Sequence, residues 1–195
     1  MINCISGALI NDEGTIYFEG EDIVNIPAHI RAHLGIARSF QIPKPFRSMS
    51  VLENLLVPLE YAAFGRADKR PFRDQAMEIL ETIGFAERAD DLSAELTQVD
   101  LRKLELARAM AAKPSLLVSD EAMAGLSSAE VDEILGILLK LNATGVAVIM
   151  IEHIMRAVMR FSERIVVLDA GKKIAEGSPD EIVSNREVER AYLGE

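Results

Sequence analysis

The sequence contains a single cysteine, Cys4, and this scarcity excludes several kinds of site. One thiol cannot build an intrachain disulfide framework, and it cannot supply a cysteine-based zinc centre. A chain without disulfides fits a reducing compartment such as the cytoplasm. Because Cys4 lies in an apolar stretch, we expect it to pack as a small hydrophobic side chain.

The chain also lacks an excess of positive charge and any long hydrophobic run. It carries 21 Lys and Arg residues against 31 Asp and Glu residues, which gives a net charge of −10. This balance argues against a protein held on nucleic acid by general electrostatics. The first residues lack the basic start of a signal peptide, and the longest apolar run, GVAVIMIEH, is too short to cross a bilayer. Any role at a membrane is therefore expected to come through partner proteins.

The composition and the pattern of apolar residues predict a globular α/β protein. The 195 residues, 49% of them hydrophobic, suit one α/β domain with a helical insert. In the second half, the apolar runs SLLVSDE and VAVIMIEH are separated by an amphipathic helix over 127–141. Such runs, joined by a helix of this length, predict neighbouring parallel strands with a crossover. The residues of this helix that we expect to face the core are Val131, Ile134, Leu135, Leu138 and Leu139.

Shorter patterns predict the remaining elements. The segment GTIYFEG predicts a short strand in a hairpin, Pro27 begins a helix, and IARSFQ predicts a strand that leads into a loop interrupted by prolines. Helical patterns come next, over 50–84 and 101–110. The chain ends with a strand pair around Ala170-Gly171 and two short helices.

Three polar side chains come after the two predicted parallel strands. Asp120 and Glu121 end the first apolar run, and His153 ends the second. Because ligands of an open parallel sheet bind beyond the carboxyl ends of its strands, we expect these side chains to meet at one edge. One carboxylate can hold a hydrated magnesium ion, the next can orient or deprotonate a water, and the imidazole can contact a terminal phosphate. The alternative is that the acids mark a chain leaving the core and that His153 is an ordinary surface residue.

Four segments, in the right order, resemble the ATPases of ABC transporters. LLVSDEAMAGLSSAEV is similar to their Walker B strand, catalytic glutamate and D-loop, and IEHIMRAVM resembles their switch-histidine segment. GIARSFQIPKPFRSMSVLENL resembles their Q-loop and the helical subdomain behind it. The final segment, GKKIAEGSPDEIVSNREVERAYLGE, is similar to the end of the branched-chain amino-acid importer subfamily. The resemblance covers essentially the whole chain.

The resemblance implies a P-loop NTPase-like α/β fold with a parallel sheet core and a helical subdomain, truncated at its N-terminus. It implies an ATP-hydrolysing subunit of an importer of the branched-chain amino-acid type, with ATP and Mg²⁺ as cofactors. It further implies a homo- or heterodimer with another such subunit, docked on membrane permease subunits at the inner face of the cell membrane, with no nucleic-acid partner. The implied parts are 1–45 (remnant of the catalytic core with hairpin and Q-loop), 46–95 (helical subdomain), 96–170 (signature, Walker B and switch-histidine core) and 171–195 (C-terminal strand and helices).

The same resemblance assigns roles to individual residues. Glu121 and His153 match catalytic positions, Asp120 matches the magnesium-side position, and Gln41 matches the Q-loop glutamine, with both a catalytic and a metal role. The residues implied to contact the nucleotide are Thr97, Val99, Asp100 and Ser127.

Two features depart from the family pattern. None of the 12 glycines begins the G-x-x-x-x-G-K-[ST] loop, whose backbone N–H groups and lysine hold phosphates. The segment from Ile2 to Gly7 resembles the end of the helix that comes after this loop in the family. We therefore expect the chain to begin just after the loop and to be defective in ATP binding. A non-catalytic partner subunit and a non-functional fragment remain alternatives, while a DNA-repair ATPase is disfavoured because the chain lacks heptads.

The second departure lies in the signature segment, LTQVDLRKLELARAM. Thr97 keeps a hydroxyl, but Gln98 and Val99 replace small residues, and Asp100 replaces a glutamine. A valine side chain keeps the backbone farther from a phosphate than glycine does, and the acid adds repulsion. We therefore expect weakened turnover. The alternative is an ordinary helix capped by Asp100.

Overall fold

A computed structural model describes residues 1–63 and 68–193. The chain divides into two compact units, Met1–Ile151 and Glu152–Glu195. Within the described ranges, no helix has the length and hydrophobicity needed to cross a bilayer. The predicted helical pattern over 50–84 and the predicted C-terminal part, 171–195, include residues 64–67 and 194–195, which lie outside the described residues. The predicted boundaries of the four parts stay a prediction.

The first unit combines a small hairpin, a parallel sheet and several helices. Its elements in chain order are α1 (Ile2–Ile5), β1 (Tyr17–Phe18), β2 (Glu21–Asp22), α2 (Ala28–Leu34), β3 (Ile36–Ser39), α3 (Val51–Tyr61), α4 (Phe72–Ile83), two 3₁₀ turns (Ala86–Arg88 and Ser93–Glu95), α5 (Gln98–Ala111), β4 (Leu116–Asp120), α6 (Ser128–Ala143) and β5 (Ala147–Ile151). The predicted hairpin is confirmed, because β1 and β2 pair antiparallel.

The three longer strands of this unit form the predicted parallel sheet, in the order β3-β4-β5. In register, Ser39 of β3 lies beside Ser119 of β4, and Asp120 lies beside Ile151 of β5. The crossover between β4 and β5 is helix α6, whose first turn is fixed by a capping box between Ser127 and Glu130. The predicted α/β fold with a parallel sheet is therefore confirmed. The carboxyl ends of all three strands lie at one edge of the sheet.

One predicted core residue of α6 is wrong. Leu139 is 38% exposed, whereas Ile137 and Leu141 are buried together with the other predicted positions. Successive residues of a helix differ by about 100° in direction. The buried face of α6 is centred near Ile134 and Leu138. Leu139 comes one residue after Leu138 and lies at the solvent side of this face.

A buried asparagine shapes the loop between β3 and α3. Asn54 of α3 is fully buried, and its Oδ1 accepts a hydrogen bond from the Phe46 N–H at 2.8 Å. Its Nδ2 donates to the carbonyls of Ser50 and Phe46 at 2.9 and 3.2 Å. Because a buried amide that lost these partners would be costly, the end of this loop is held in one arrangement. The loop that carries Gln41 is therefore anchored on its α3 side.

Over residues 152–193, the second unit contains an antiparallel hairpin and three helices. Its elements are α7 (Met155–Phe161), β6 (Ile165–Asp169), β7 (Lys172–Gly177), α8 (Pro179–Val183) and α9 (Arg186–Leu193). The predicted turn at Ala170-Gly171 is confirmed, and both of its residues have positive φ. The two predicted C-terminal helices are also confirmed.

Candidate functional site

The carboxyl ends of β3 and β4 bring two predicted site residues into direct contact. Glu121 comes directly after the last residue of β4, and Gln41 comes shortly after the end of β3. The Gln41 Nε2 donates a hydrogen bond to the Glu121 Oε2 at 2.6 Å. Because β3 and β4 are parallel neighbours, their ends share one edge, and the loop after β3 can reach the acid after β4.

The backbone at Glu121 is in an unusual conformation. Its φ is +46°, in the left-handed region that residues with a Cβ seldom adopt. The Glu121 N–H donates to the carbonyl of Ile151, the last residue of β5, at 3.0 Å. Strand β4 ends at Asp120, directly before this turn. Strained backbone held in place by neighbours is frequent at functional sites.

Asp120 is held by an arginine that the sequence did not single out. The Arg38 Nη2 lies 2.6 Å from the Asp120 Oδ2, and the two side chains are 14% and 25% exposed. The Arg38 Nη1 also donates to the Asn3 Oδ1 at 2.7 Å and to the Ser6 Oγ at 3.1 Å. The available signal was a charged residue inside the otherwise apolar start of IARSFQ.

His153 lies two residues beyond the end of β5, as predicted, and its side chain is exposed. It belongs to the second unit, whereas Glu121 belongs to the first. A meeting of the imidazole with the two carboxylates stays a prediction.

The signature residues lie at the start of α5. Thr97 is the N-cap, and its Oγ1 accepts a hydrogen bond from the Asp100 N–H at 3.3 Å. The alternative of a helix capped by Asp100 is therefore wrong, since that residue stands in the first turn. Its carboxylate pairs with the Arg88 Nη1 at 3.0 Å. The half-buried Val99 lies between Thr97 and Asp100 in sequence.

The ion pair changes the electrostatics expected for this segment. Burial raises the pKa of Asp100, but hydrogen bonds from Arg88 and Thr97 outweigh it, and the pKa lies below the ordinary value. The acid is ionised, and its charge is met by an arginine of the same unit. The repulsion that we predicted for an approaching phosphate is thus reduced by Arg88.

Ser127 lies at the start of α6, where its side chain takes part in capping. Its Oγ accepts a hydrogen bond from the Glu130 N–H at 3.4 Å, and the Glu130 Oε2 accepts one from the Ser127 N–H at 2.7 Å. Hydrogen bonding of the Glu130 carboxylate to the side chain and the N–H of Ser127 keeps the pKa of Glu130 below its ordinary value. Ser127 is exposed, and a role in nucleotide binding stays a prediction.

The oxygen ligands at the sheet edge fit a magnesium ion that keeps most of its water. Among the described residues, no group of three or more His, Cys, Asp or Glu side chains could hold a metal ion alone. Mg²⁺ commonly takes one or two protein oxygens and completes its shell with water and substrate phosphates. Asp120 and Gln41 offer such oxygens. The loop that would hold the phosphates is not among the 195 residues.

Comparison with known protein families identifies the chain. The pattern of the family described as "ABC transporter" matches residues 1–124, and that of "Branched-chain amino acid ATP-binding cassette transporter" matches residues 172–195. The chain belongs to the ABC transporter family. The predicted family resemblance is thus confirmed.

Relatives of this ABC family chain match it over nearly its whole length. The "Probable branched-chain amino acid transport ATP-binding protein LivG" of Archaeoglobus fulgidus is 36% identical over 202 residues, which cover 99% of this chain and 79% of LivG. The high-affinity LivG of Salmonella typhimurium is 37% identical over 209 residues, covering 100% and 82%. The crystal structure of an ATP-binding cassette of an ABC transporter in its ADP conformation has a TM-score of 0.86 and 32% identity, and covers 100% of this chain and 82% of that one.

Proposed function

We propose that this ABC family chain is the ATP-binding subunit of an importer for branched-chain amino acids, and that its sheet edge carries the hydrolytic chemistry. The names of its LivG relatives support the transported class. The observation that carries the chemical part is the hydrogen bond between the Gln41 Nε2 and the Glu121 Oε2, directly beside Asp120 at the end of β4.

In this mechanism Glu121 is the base that accepts a proton from the attacking water. Gln41 occupies Oε2, which leaves Oε1 to take that proton. Asp120 would hold a hydrated Mg²⁺, which when bound neutralises phosphate charge. His153 keeps the water in line with the terminal phosphate. A base placed in this way contributes about 10²-fold or more to turnover.

The proposed subunit works as a dimer with a second ABC ATPase subunit, identical or different. Thr97, Val99, Asp100 and Ser127 then contact the nucleotide held by the other subunit. The helical subdomain, 46–95, docks on permease subunits at the inner face of the membrane. Two apolar side chains in or beside this segment, Ile42 and Tyr61, are 71% and 66% exposed, and their surface is available to a protein partner.

The test of hydrolysis uses the chain completed with an N-terminal segment from LivG that carries G-x-x-x-x-G-K-[ST]. In this protein Glu121→Gln should lower ATP turnover about 100-fold or more, with ATP binding retained. The matched control is Glu60→Gln, which removes an exposed carboxylate of α3 and should change turnover little. Similar ATP turnover in the Glu121→Gln protein and in the unaltered protein would contradict the proposal that Glu121 is the base.

We further propose that the 195 residues alone bind Mg-ATP weakly, because they lack the loop that makes most phosphate contacts. Calorimetric titration of the purified chain measures this. Affinity in the micromolar range would contradict the proposal.

The ordered start of α5 fits a second candidate, a non-catalytic partner that pairs with an intact ATPase subunit. In that case the chain supplies the start of α5, where Thr97 and Asp100 are held by hydrogen bonds. Co-purification with an intact subunit, combined with ATPase assays of the pair, distinguishes the non-catalytic partner from the hydrolysing subunit. Glu121→Gln in this chain should then leave turnover of the pair unchanged.

A further inference from the structure

Arg38 joins two parts of the first unit through one guanidinium group. Its Nη2 contacts the Asp120 Oδ2 at 2.6 Å, while its Nη1 contacts the Asn3 Oδ1 and the Ser6 Oγ of the α1 segment at 2.7 and 3.1 Å. The aromatic ring of Phe40 lies beside it, with its centroid 5.3 Å from the Arg38 Cζ. The side chain is therefore held on several sides.

This position sets the charge of the sheet edge. Asp120 and Glu121 are consecutive carboxylates, and Gln41, the hydrogen-bond partner of Glu121, carries no charge. Arg38 is a cation in direct contact with the pair, through Asp120. Without it, two adjacent acids would attract any divalent cation. With it, a cation bound to Asp120 would stand beside a fixed positive charge.

We propose that Arg38 is a positioning residue that keeps Asp120 from binding a divalent cation until a nucleotide supplies further negative charge. This inference rests on the proposed metal role of Asp120. The guanidinium cannot move from the carboxylate freely, because its Nη1 is bonded to Asn3 and Ser6. Phosphates beside the site would offset the repulsion, so that metal and nucleotide bind together and metal alone binds weakly.

The test is a titration of the chain with Mn²⁺ in the absence of nucleotide, with free Mn²⁺ measured by electron paramagnetic resonance. Arg38→Gln removes the charge but keeps hydrogen-bonding groups, and it should tighten Mn²⁺ binding about tenfold or more. Arg38→Lys keeps the charge and should bind Mn²⁺ as weakly as the wild type does. Adding Asp120→Asn to Arg38→Gln should return the affinity to the wild-type level.

The matched control is Arg47→Gln, which removes one exposed arginine and changes the net charge equally. It should leave Mn²⁺ binding within about twofold of wild type, because exposed charges are screened. Thermal unfolding monitored by circular dichroism checks each variant, and Arg38→Met serves as a second neutral variant if the glutamine protein does not fold.

Two results would overturn the proposal: a neutral Arg38 variant that binds Mn²⁺ no more tightly than wild type, or tight binding that persists after Asp120→Asn. Since no nucleotide is present, either result leaves the proposed hydrolysis by Glu121 intact. That proposal fails only in its own turnover assay.

Discussion

Two arginines of the first unit, Arg31 in α2 and Arg38 in β3, both reach α1 but use different kinds of partner. Arg31 is 1% exposed, and its guanidinium donates to main-chain carbonyls, among them those of Cys4 and Ile5 at the end of α1. Arg38 is less buried and donates to side chains, above all to the carboxylate of Asp120. One arginine binds backbone and the other binds a carboxylate.

This difference in partners indicates which of the two arginines a bound ligand can influence. Carbonyls belong to the folded chain, so the bonds of Arg31 form when the chain folds and break only when it unfolds. A carboxylate is also a ligand for metal ions, so the group that Arg38 contacts can respond to a ligand. Arg31 is therefore structural, and Arg38 is tied to the site.

The largest expected effect is the loss of Arg31. Arg31→Met leaves four main-chain carbonyls, those of Cys4, Ile5, Val24 and Ile26, without this donor. We expect a loss of about 3 kcal/mol in the free energy of unfolding, measured by urea denaturation. Arg38→Met should lower the free energy of unfolding clearly less. Equal losses for the two variants would contradict the distinction between a structural Arg31 and an Arg38 tied to the site.

A smaller effect is expected for the pairing of Arg38 with Asp120. The two side chains are partly exposed, so a double-mutant cycle of Arg38→Met and Asp120→Asn should give a coupling energy of about 1 kcal/mol. The Arg31→Met and Asp120→Asn changes should instead add without coupling. Coupling between those two would show that the two arginines do not act separately.

The smallest effect concerns pH and a third arginine, Arg88. The folded-state pKa of its partner Asp100 lies below the ordinary value, so the stability from this pair is present above about pH 4 and is lost as pH falls through the folded pKa. The destabilisation by Arg88→Met should shrink in acid. The destabilisation by Arg31→Met should not change with the titration of Asp100. The partners of Arg31 are main-chain carbonyls, and carbonyls do not titrate in this range. Unfolding curves of both variants at neutral and acid pH compare the two.

Much of the sheet edge could be predicted from the sequence, because it depends on local rules. Apolar runs that end in polar residues locate the ends of β4 and β5, and parallel neighbours have their ends at one edge. The contact between Gln41 and Glu121 results from this arrangement. The two residues are 80 positions apart in sequence, and the parallel pairing of β3 with β4 brings the loop after β3 close to the acid after β4.

The arginine contacts could not be predicted in the same way. Arg38 and Asp120 are 82 residues apart, and no spacing rule connects a strand residue to one particular carboxylate. The start of α5 was ambiguous for another reason. Thr97 and Asp100 are both good N-cap residues, and the choice between them depends on where the first helical turn begins. Leu139 was misjudged because an apolar residue extends a helical stripe whether or not the core reaches it.

Glu121 follows strand β4, but the turn at this residue is bonded to the neighbouring strand β5. Its main-chain N–H is bonded to Ile151 of β5, and this bond does not involve the side chain. A shift of the end of β5 would therefore tilt the Glu121 carboxylate even if β4 stayed in place. Substitutions such as Glu121→Gln leave this mechanical link unchanged, and the same turn can then present an amide where the acid stood.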